Sequence, residues 1–143
     1  MFGRKRVKPI DVKSLDQLKE LIAEGKPVLL DFWQVGCRNC KIMDGIVNEL
    51  AEEYGSSAHV VKIDLGRVAG AAASFQVKAT PTFILFGRPG LPAAKKKAKK
   101  RPAPSPERQQ QGLVVKWRGS GLVRKDMMTR ALESAGAVRV AGD

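Results

Sequence analysis

The chain has 143 residues, with 26 Lys or Arg against 14 Asp or Glu, so its net charge is +12, and 43% of its residues are hydrophobic. This length and apolar share suit one domain with one buried core and argue against two full domains. No apolar run approaches the roughly 18 residues of a membrane span, and none follows the basic start as the core of a signal peptide would. We therefore expect a cytoplasmic protein without membrane contact.

The excess charge is concentrated in two short segments. Residues 1–8 carry a net charge of +4 and residues 88–108 carry +7, so the remainder is nearly neutral. We interpret residues 1–143 as a single domain with a basic N-terminal arm at 1–8 and a basic insertion at 88–112. This distribution differs from that of a uniformly basic nucleic-acid-binding domain.

The predicted elements alternate between helix and strand along most of the chain. Ser14 begins a capping-box pattern, and apolar residues then recur at helical spacing until Gly25. The later elements are strands over 27–33, 59–65, 82–86 and 113–117, with helices whose patterns cover 43–54, 69–75 and 125–133. Strands separated by helices favour parallel neighbours, and the last two strands favour an antiparallel hairpin. The predicted fold class is therefore α/β, with a central mixed sheet flanked by helices on both faces.

The predicted insertion at 88–112 separates the two hairpin strands. Its Pro, Lys, Ala and Gln content and lack of an apolar face predict disorder. The two strands are still predicted to form a hairpin, because the entropic cost of closing a loop grows only with the logarithm of its length. The longer loop therefore costs about 1 to 2 kcal/mol. Two interpretations of its basic cluster stay open: a solvated tether, or a non-specific, salt-sensitive contact with nucleic acid or an acidic protein. The cluster consists of Lys95, Lys96, Lys97, Lys99, Lys100 and Arg101.

The two cysteines, Cys37 and Cys40, follow the first buried strand at the predicted start of a helix. Unpaired main-chain amides and the helix dipole stabilise an anion at such a position, so the pKa of Cys37 should be depressed. Arg38 acts in the same direction. Cys40 lies three residues further on, within reach of a mixed disulfide formed at Cys37, so the pair can cycle between dithiol and disulfide.

The cysteines have two alternative interpretations, a metal site and a purely structural role. A structural zinc site needs about four ligands, and two Cys and one His cannot supply them within one chain. The cysteines could also merely pack in the helix face. The strand-to-helix context of the motif favours redox chemistry over both, and no metal site is predicted.

The sequence resembles the thioredoxin family. The resemblance covers about residues 7 to 135, interrupted at 88–112, and depends on landmarks in the family's order and spacing. These are Asp31-Phe32-Trp33, Cys37 to Cys40 followed by Lys41, then Lys62, and Thr80-Pro81-Thr82 ahead of the strand from Phe83.

The resemblance implies roles for two charged residues. Asp31 matches the family's buried acid, which accepts the proton of the resolving cysteine, here Cys40, and burial should raise its pKa. An acid that only caps or hydrogen-bonds the core is the alternative. Lys62 matches the lysine beside that acid, and a lysine that reaches solvent from a strand end is the alternative there.

Five further residues are predicted to contact the substrate. Pro81 matches the family's proline with a cis peptide bond, and with Thr80 it would present main-chain groups to an extended substrate segment. An ordinary turn proline is the alternative. Trp33, Gly36 and Arg38 complete the predicted substrate-binding set.

The sequence also departs from the family pattern. Gly36 replaces a tryptophan, which should widen the substrate groove, and Arg38-Asn39 replaces Gly-Pro between the cysteines. Gly45 stands where the family has a proline kink. Because Arg38 favours the thiolate, we expect a better oxidant and a poorer reductant than an ordinary thioredoxin.

The predicted function is thiol–disulfide exchange on protein disulfides by a chain that needs no bound cofactor and is expected to be a monomer. By resemblance, a flavin- and NADPH-dependent thioredoxin reductase would recharge it, while an oxidase or isomerase direction stays open. The alternative is a thioredoxin-like adaptor that docks to nucleic acid or an acidic partner through its basic loop.

Overall fold

The computed structural model describes residues 7–89 and 112–140. Most of the predicted basic arm, residues 1–6, lies outside these ranges. So do residues 90–111 of the predicted insertion, including the Lys95 to Arg101 cluster. The elements are β1 (Ile10–Asp11), α1 (Leu15–Ala23), β2 (Val28–Trp33), α2 (Arg38–Tyr54), β3 (His59–Asp64), α3 (Ala71–Ser74), β4 (Thr82–Gly87), β5 (Val114–Ser120) and α4 (Lys125–Ser134).

The strands form one mixed sheet in the order β1-β3-β2-β4-β5. β3 is parallel to both β1 and β2, whereas β4 is antiparallel to both β2 and β5. The predicted α/β class and the antiparallel hairpin of the last two strands are confirmed. The hairpin spans the inserted segment, as loop-closure entropy allows.

The expectation that helix-separated strands are parallel is wrong for β4. This strand follows α3 but pairs antiparallel with β2, with Thr82 opposite Phe32. A parallel crossover must return along the sheet, over about 20 Å for a six-residue strand. Helix α3 has four residues and spans only about 6 Å. Residues 65–81 connect β3 to β4 and could cover that distance in extended form, so the length of α3 alone does not fix the strand direction. Pairing with β2 and β5 fixes it, and the chain enters β4 at the end of the sheet at which it leaves β3.

Two element starts show how local sequence defines this fold. The Ser14 side chain caps α1 by accepting a hydrogen bond from Gln17 N at 3.1 Å, and Gln17 Oε1 accepts one from Lys13 N at 2.8 Å. The predicted cap is therefore confirmed. The sequence did not predict strand β1, because two residues carry no periodic pattern and form a strand only by pairing with β3.

Within the described residues, no helix is both long and apolar enough to cross a membrane.

Side-chain alternation along β2 separates two cores, one on each face of the sheet. Leu29 packs with residues of α2 and α4, such as Leu50 and Leu132. Its neighbours Val28 and Leu30 instead pack with Leu18 of α1. Successive residues of a strand point to opposite faces, so Asp31 lies on the same face as Leu29, beneath α2. The same alternation places Lys62 on the face of Val60, which also belongs to the α2 core.

Candidate functional site

Cys37 and Cys40 form a disulfide at the N-terminus of α2, with their Cα atoms 5.2 Å apart. Cys37 is the N-cap residue, and its sulfur accepts a hydrogen bond from Cys40 N at 3.2 Å. Cys37 is half-buried, whereas Cys40 is only 4% exposed. The predicted helix-start position is confirmed, and Cys37 is the more accessible sulfur of the pair.

An open depression lies in front of the disulfide. The polar side chains along it belong to Gln34, Arg38, Asn39 and Thr80, while Val35 supplies an apolar one. Gly36 and Cys37 complete its lining. Residues from the β2–α2 turn and from the segment before β4 therefore meet beside the reactive sulfur, although Thr80 lies 43 positions after Cys37 in the sequence.

The Thr80–Pro81 peptide bond is cis, which confirms that prediction. Pro81 is buried at the start of β4, and its carbonyl accepts a hydrogen bond from Gly121 N at 2.9 Å. Thr80 is half-buried and faces the depression. The structure thus brings Thr80 to the cysteines, while its role toward a substrate stays a prediction.

Trp33 does not line this depression. Its indole ring lies beneath the Lys62 ammonium group, with Nζ 5.1 Å from the ring centroid, a cation–π geometry. Its Nε1 is buried without a hydrogen-bond partner among the described residues. Trp33 therefore contacts the lysine on β3, whereas Gly36 and Arg38 of the same predicted set lie at the depression.

Asp31 is the buried carboxyl beneath α2. It is only 3% exposed, and its Oδ1 has no hydrogen-bond partner in the described part of the chain. Burial raises the pKa of Asp31 to about 7, because the charged form loses its hydration. Lys62 acts against this rise, and the carboxylates of Asp44 and Asp11 add to it. Asp31 can therefore gain or lose a proton near neutral pH.

Lys62 lies directly beside Asp31 in the sheet, since the two residues are register partners on β2 and β3. Its ammonium group, however, forms its ion pair with Asp44 on α2, with Nζ and Oδ1 3.2 Å apart. The Lys62 side chain is 19% exposed and that of Asp44 is 43% exposed. The Lys62–Asp44 ion pair therefore lies between the register partner of Asp31 and the surface, without a hydrogen bond to the Asp31 carboxyl among the described residues.

Asp44 was missed in the sequence. It lies four residues after Cys40, a spacing that places both side chains on one helix face, and this spacing is the signal that could have identified it. Its partner Lys62 is remote in sequence, so no local pattern connects the two. The carboxylate of Asp44 raises the pKa of Asp31. It also forms an ion pair with Lys62, the residue whose charge lowers that pKa.

Arg118 on β5 was also missed. Its guanidinium donates hydrogen bonds to the main-chain carbonyls of Phe75 at 2.8 Å and Gln76 at 2.5 Å. Gln76 adopts a φ of 53°, which non-glycine residues rarely do. These bonds hold the segment that leads from α3 to Thr80 and Pro81. No sequence pattern indicates them, because they form across the sheet.

A thioredoxin family model matches residues 10–103. The chain belongs to the thioredoxin family. It is 40% identical over 68 residues to a thioredoxin of Pyropia yezoensis, covering 48% of this chain and 64% of that protein. It is 39% identical over 88 residues to the chloroplastic thioredoxin Y of Oryza sativa subsp. japonica, covering 60% of this chain and 51% of that protein. The chain thus spans about half to two thirds of the length of these curated relatives.

Solved structures show the same fold. A mutant thioredoxin of Halobacterium salinarum matches with a TM-score of 0.66 at 22% identity, covering 94% of this chain and 96% of that one. The thioredoxin of Malassezia sympodialis matches with a TM-score of 0.67 at 18% identity, covering 95% and 98%. The predicted family and thioredoxin-like fold are therefore confirmed.

Gly36 is the clearest departure of this site from the thioredoxin pattern. Its φ is +85°, a conformation that glycine adopts freely and a tryptophan does not. A Cβ built at this position would have no heavy atom within 4 Å. The space beside Cys37 is therefore open on this side, as expected if the groove is widened.

Neutralising Asp31 should change the pH dependence of stability. Its pKa is about 7 in the folded protein against an ordinary value of 3.8, so the folded state retains the proton over this interval. Protonation stabilises the fold fully below the lower value, and this contribution, on the order of 4 kcal/mol, is lost as pH rises through about 7. Asp31→Asn should therefore be more stable than wild type by only about 1 kcal/mol near pH 4.5 and by about 4 kcal/mol at pH 8.

Urea unfolding of the oxidised proteins at both pH values measures this difference. Glu20→Gln, which neutralises an exposed acid of α1, is the matched control and should follow wild type. An Asp31→Asn variant that shows the same pH dependence as wild type would contradict the raised pKa.

The charges around Asp31 should move the midpoint of this pH transition in opposite directions. Asp44→Asn removes a carboxylate that raises the pKa of Asp31 and releases Lys62, so the midpoint should move to lower pH. Lys62→Gln should move it to higher pH, because the lysine stabilises the ionised carboxyl. The midpoint is read from unfolding free energies measured between pH 4.5 and 9. Parallel shifts in both variants would refute this assignment.

Proposed function

We propose that the chain is a thiol–disulfide oxidoreductase that acts on protein disulfides. The observation that carries the proposal is the Cys37–Cys40 disulfide at the N-terminus of α2, above the buried carboxyl of Asp31. Both sulfurs belong to the start of one helix, so the bond spans only three positions of the chain. Family membership supports the same chemistry.

In the reducing direction, Cys37 makes the first attack. Its sulfur is the more accessible one, and at the N-cap position its thiolate is stabilised by main-chain amides and by the helix dipole. The thiolate attacks one sulfur of the substrate disulfide. A mixed disulfide forms, and the second substrate sulfur leaves as a thiolate.

Cys40 then resolves the mixed disulfide. Its thiol gives its proton to Asp31, and the resulting thiolate attacks the Cys37 sulfur, forms the Cys37–Cys40 disulfide and releases the other substrate thiolate. The pair loses two electrons and the substrate gains them. A carboxyl whose pKa is about 7 suits this step, because a general base works best with a pKa near the operating pH. Lys62 and Asp44 act on that carboxyl through their charges, which shift its pKa in opposite directions.

The partners follow from this chemistry. An extended substrate segment would lie along the depression, with main-chain groups of Thr80 and Pro81 beside it. A flavin- and NADPH-dependent reductase is the proposed electron donor. One curated relative, from Mycobacterium leprae, is named a bifunctional thioredoxin reductase/thioredoxin. A cytoplasmic location and a monomeric state belong to the same proposal.

The adaptor alternative depends on the basic cluster at 95–101, which lies outside the described residues, and it stays a prediction. It requires that the thiols be dispensable. The redox proposal requires the opposite, so one pair of variants separates the two functions.

Replacing each cysteine in turn should give different defects. Cys37→Ser removes the attacking thiolate and should lower dithiothreitol-driven insulin reduction to the uncatalysed rate. Cys40→Ser retains the attack but cannot resolve the product, so it should lose most of the insulin-reducing activity, and with insulin in the absence of dithiothreitol it should accumulate a mixed disulfide. The first readout is insulin turbidity, and the second is the mass of the trapped adduct. Wild-type turbidity with Cys37→Ser would reject the enzyme and favour the adaptor.

Arg38 should adjust the direction of exchange. Its positive charge beside Cys37 favours the thiolate and hence the reduced pair. Arg38→Gln should therefore make the reduction potential more negative, by about 5 to 20 mV, the range expected of one exposed charge. Equilibration against glutathione buffers measures it, and Lys26→Gln, an exposed lysine before β2, is the control. A potential that moves in the positive direction would contradict the proposed role of Arg38.

A further inference from the structure

The surface around the disulfide is positively charged. Three exposed residues, which we call the basic rim, belong to the two chain segments that form the depression: Arg38, Lys41 and Lys78. Arg38 lines the depression itself. Lys41 lies one helical turn after Cys37 on α2, and Lys78 lies two residues before Thr80. The rim therefore draws on both segments that meet at the reactive sulfur.

No acid offsets this charge nearby. The segments 34–43, 75–81 and 117–125 form the β2–α2 turn with the first turns of α2, the approach to Pro81, and the end of β5 with its loop. They contain no Asp or Glu. Among the described residues, no carboxylate forms an ion pair with a member of the basic rim.

The nearest acids along the chain are already engaged. Asp44 pairs with Lys62 at 3.2 Å, Asp64 with Arg67 at 3.7 Å, and Asp126 with Arg124 at 3.1 Å. Asp31 is buried beneath α2 and contributes little negative charge at the surface. A substrate that approaches Cys37 therefore meets uncompensated positive charge.

The depression also has few apolar groups to offer a substrate. Val35 is its one apolar side chain, and the amides of Gln34 and Asn39 and the hydroxyl of Thr80 supply hydrogen-bonding groups. Recognition here depends on charge and hydrogen bonds more than on buried apolar area. Carboxylates are the substrate groups that match such a surface.

We propose that this site selects protein disulfides whose cysteines are flanked by aspartate or glutamate. The inference rests on the proposed oxidoreductase function and specifies its substrate class. Carboxylates next to the attacked sulfur would lie within a Debye length of the basic rim, about 10 Å at 0.1 M salt, so they would both attract the substrate and hold it in register.

The test uses three synthetic peptide disulfides of one sequence, with Glu, Gln or Lys at the positions beside the cysteines. The full-length protein, recycled by dithiothreitol, is assayed for kcat/KM on each peptide at 20 mM and 500 mM NaCl. We expect the Glu peptide to be reduced several-fold faster than the Gln peptide at low salt, and the Lys peptide more slowly. High salt should reduce these differences to less than about twofold.

Variants of the basic rim test whether these residues cause the preference for the Glu peptide. Arg38→Gln and Lys78→Gln should each lower the ratio of Glu-peptide to Gln-peptide kcat/KM by about two- to fivefold. A ratio is used because a changed reduction potential alters both peptides alike. Lys26→Gln, which removes the same charge at the opposite end of β2, should leave the ratio unchanged. A ratio unaffected by both rim variants would overturn the proposal.

Two further outcomes separate this inference from others. If Lys95, Lys96, Lys97, Lys99 and Lys100 are changed together to Gln in the full chain, the ratio should persist; its loss would assign the preference to that cluster and overturn the proposal. If all three peptides are reduced equally, the substrate class is wrong while the oxidoreductase function holds. If none is reduced and insulin is not reduced either, the proposed function itself fails.

Discussion

The packing of α2 against the sheet is the interaction on which the candidate site depends. Leu50 of α2 and Leu29 of β2 belong to one buried core, which holds the helix across the face of the sheet. With the helix in place, its N-terminus presents Cys37 at the end of β2, and its underside covers Asp31. The same contact therefore exposes one sulfur, buries the other and removes a carboxyl from water.

The site combines two opposite electrostatic environments. Beneath the helix, Asp31 is deprived of hydration and lies near the carboxylates of Asp44 and Asp11, so it is easily protonated. Above the helix start, Arg38 and Lys41 are exposed and unpaired within the described residues. The buried side is suited to accept a proton from a thiol, and the outer side is suited to stabilise and attract anions. The few residues of the first turns of α2 separate these environments.

The route of the chain after β3 supplies the other wall of the site. After β3 the chain turns back at the end of the sheet where β2 leads into the cysteines. Thr80 consequently reaches the depression in front of Cys37, and β4 runs antiparallel to β2. Arg118 holds the carbonyls of Phe75 and Gln76 and thereby ties this turn to β5.

The sequence by itself determined the features that depend on neighbouring residues. Apolar periodicity identified α1, α2, α4 and four of the five described strands, and the cysteine spacing at a helix start identified the reactive pair. One acid in an apolar strand identified Asp31. Tertiary structure alone decided that β4 is antiparallel, that β1 exists and that Lys62 pairs with Asp44. The reason is physical: periodicity reports which face of an element is buried, whereas strand direction and charge pairing depend on contacts between residues far apart in the chain, which no local pattern encodes.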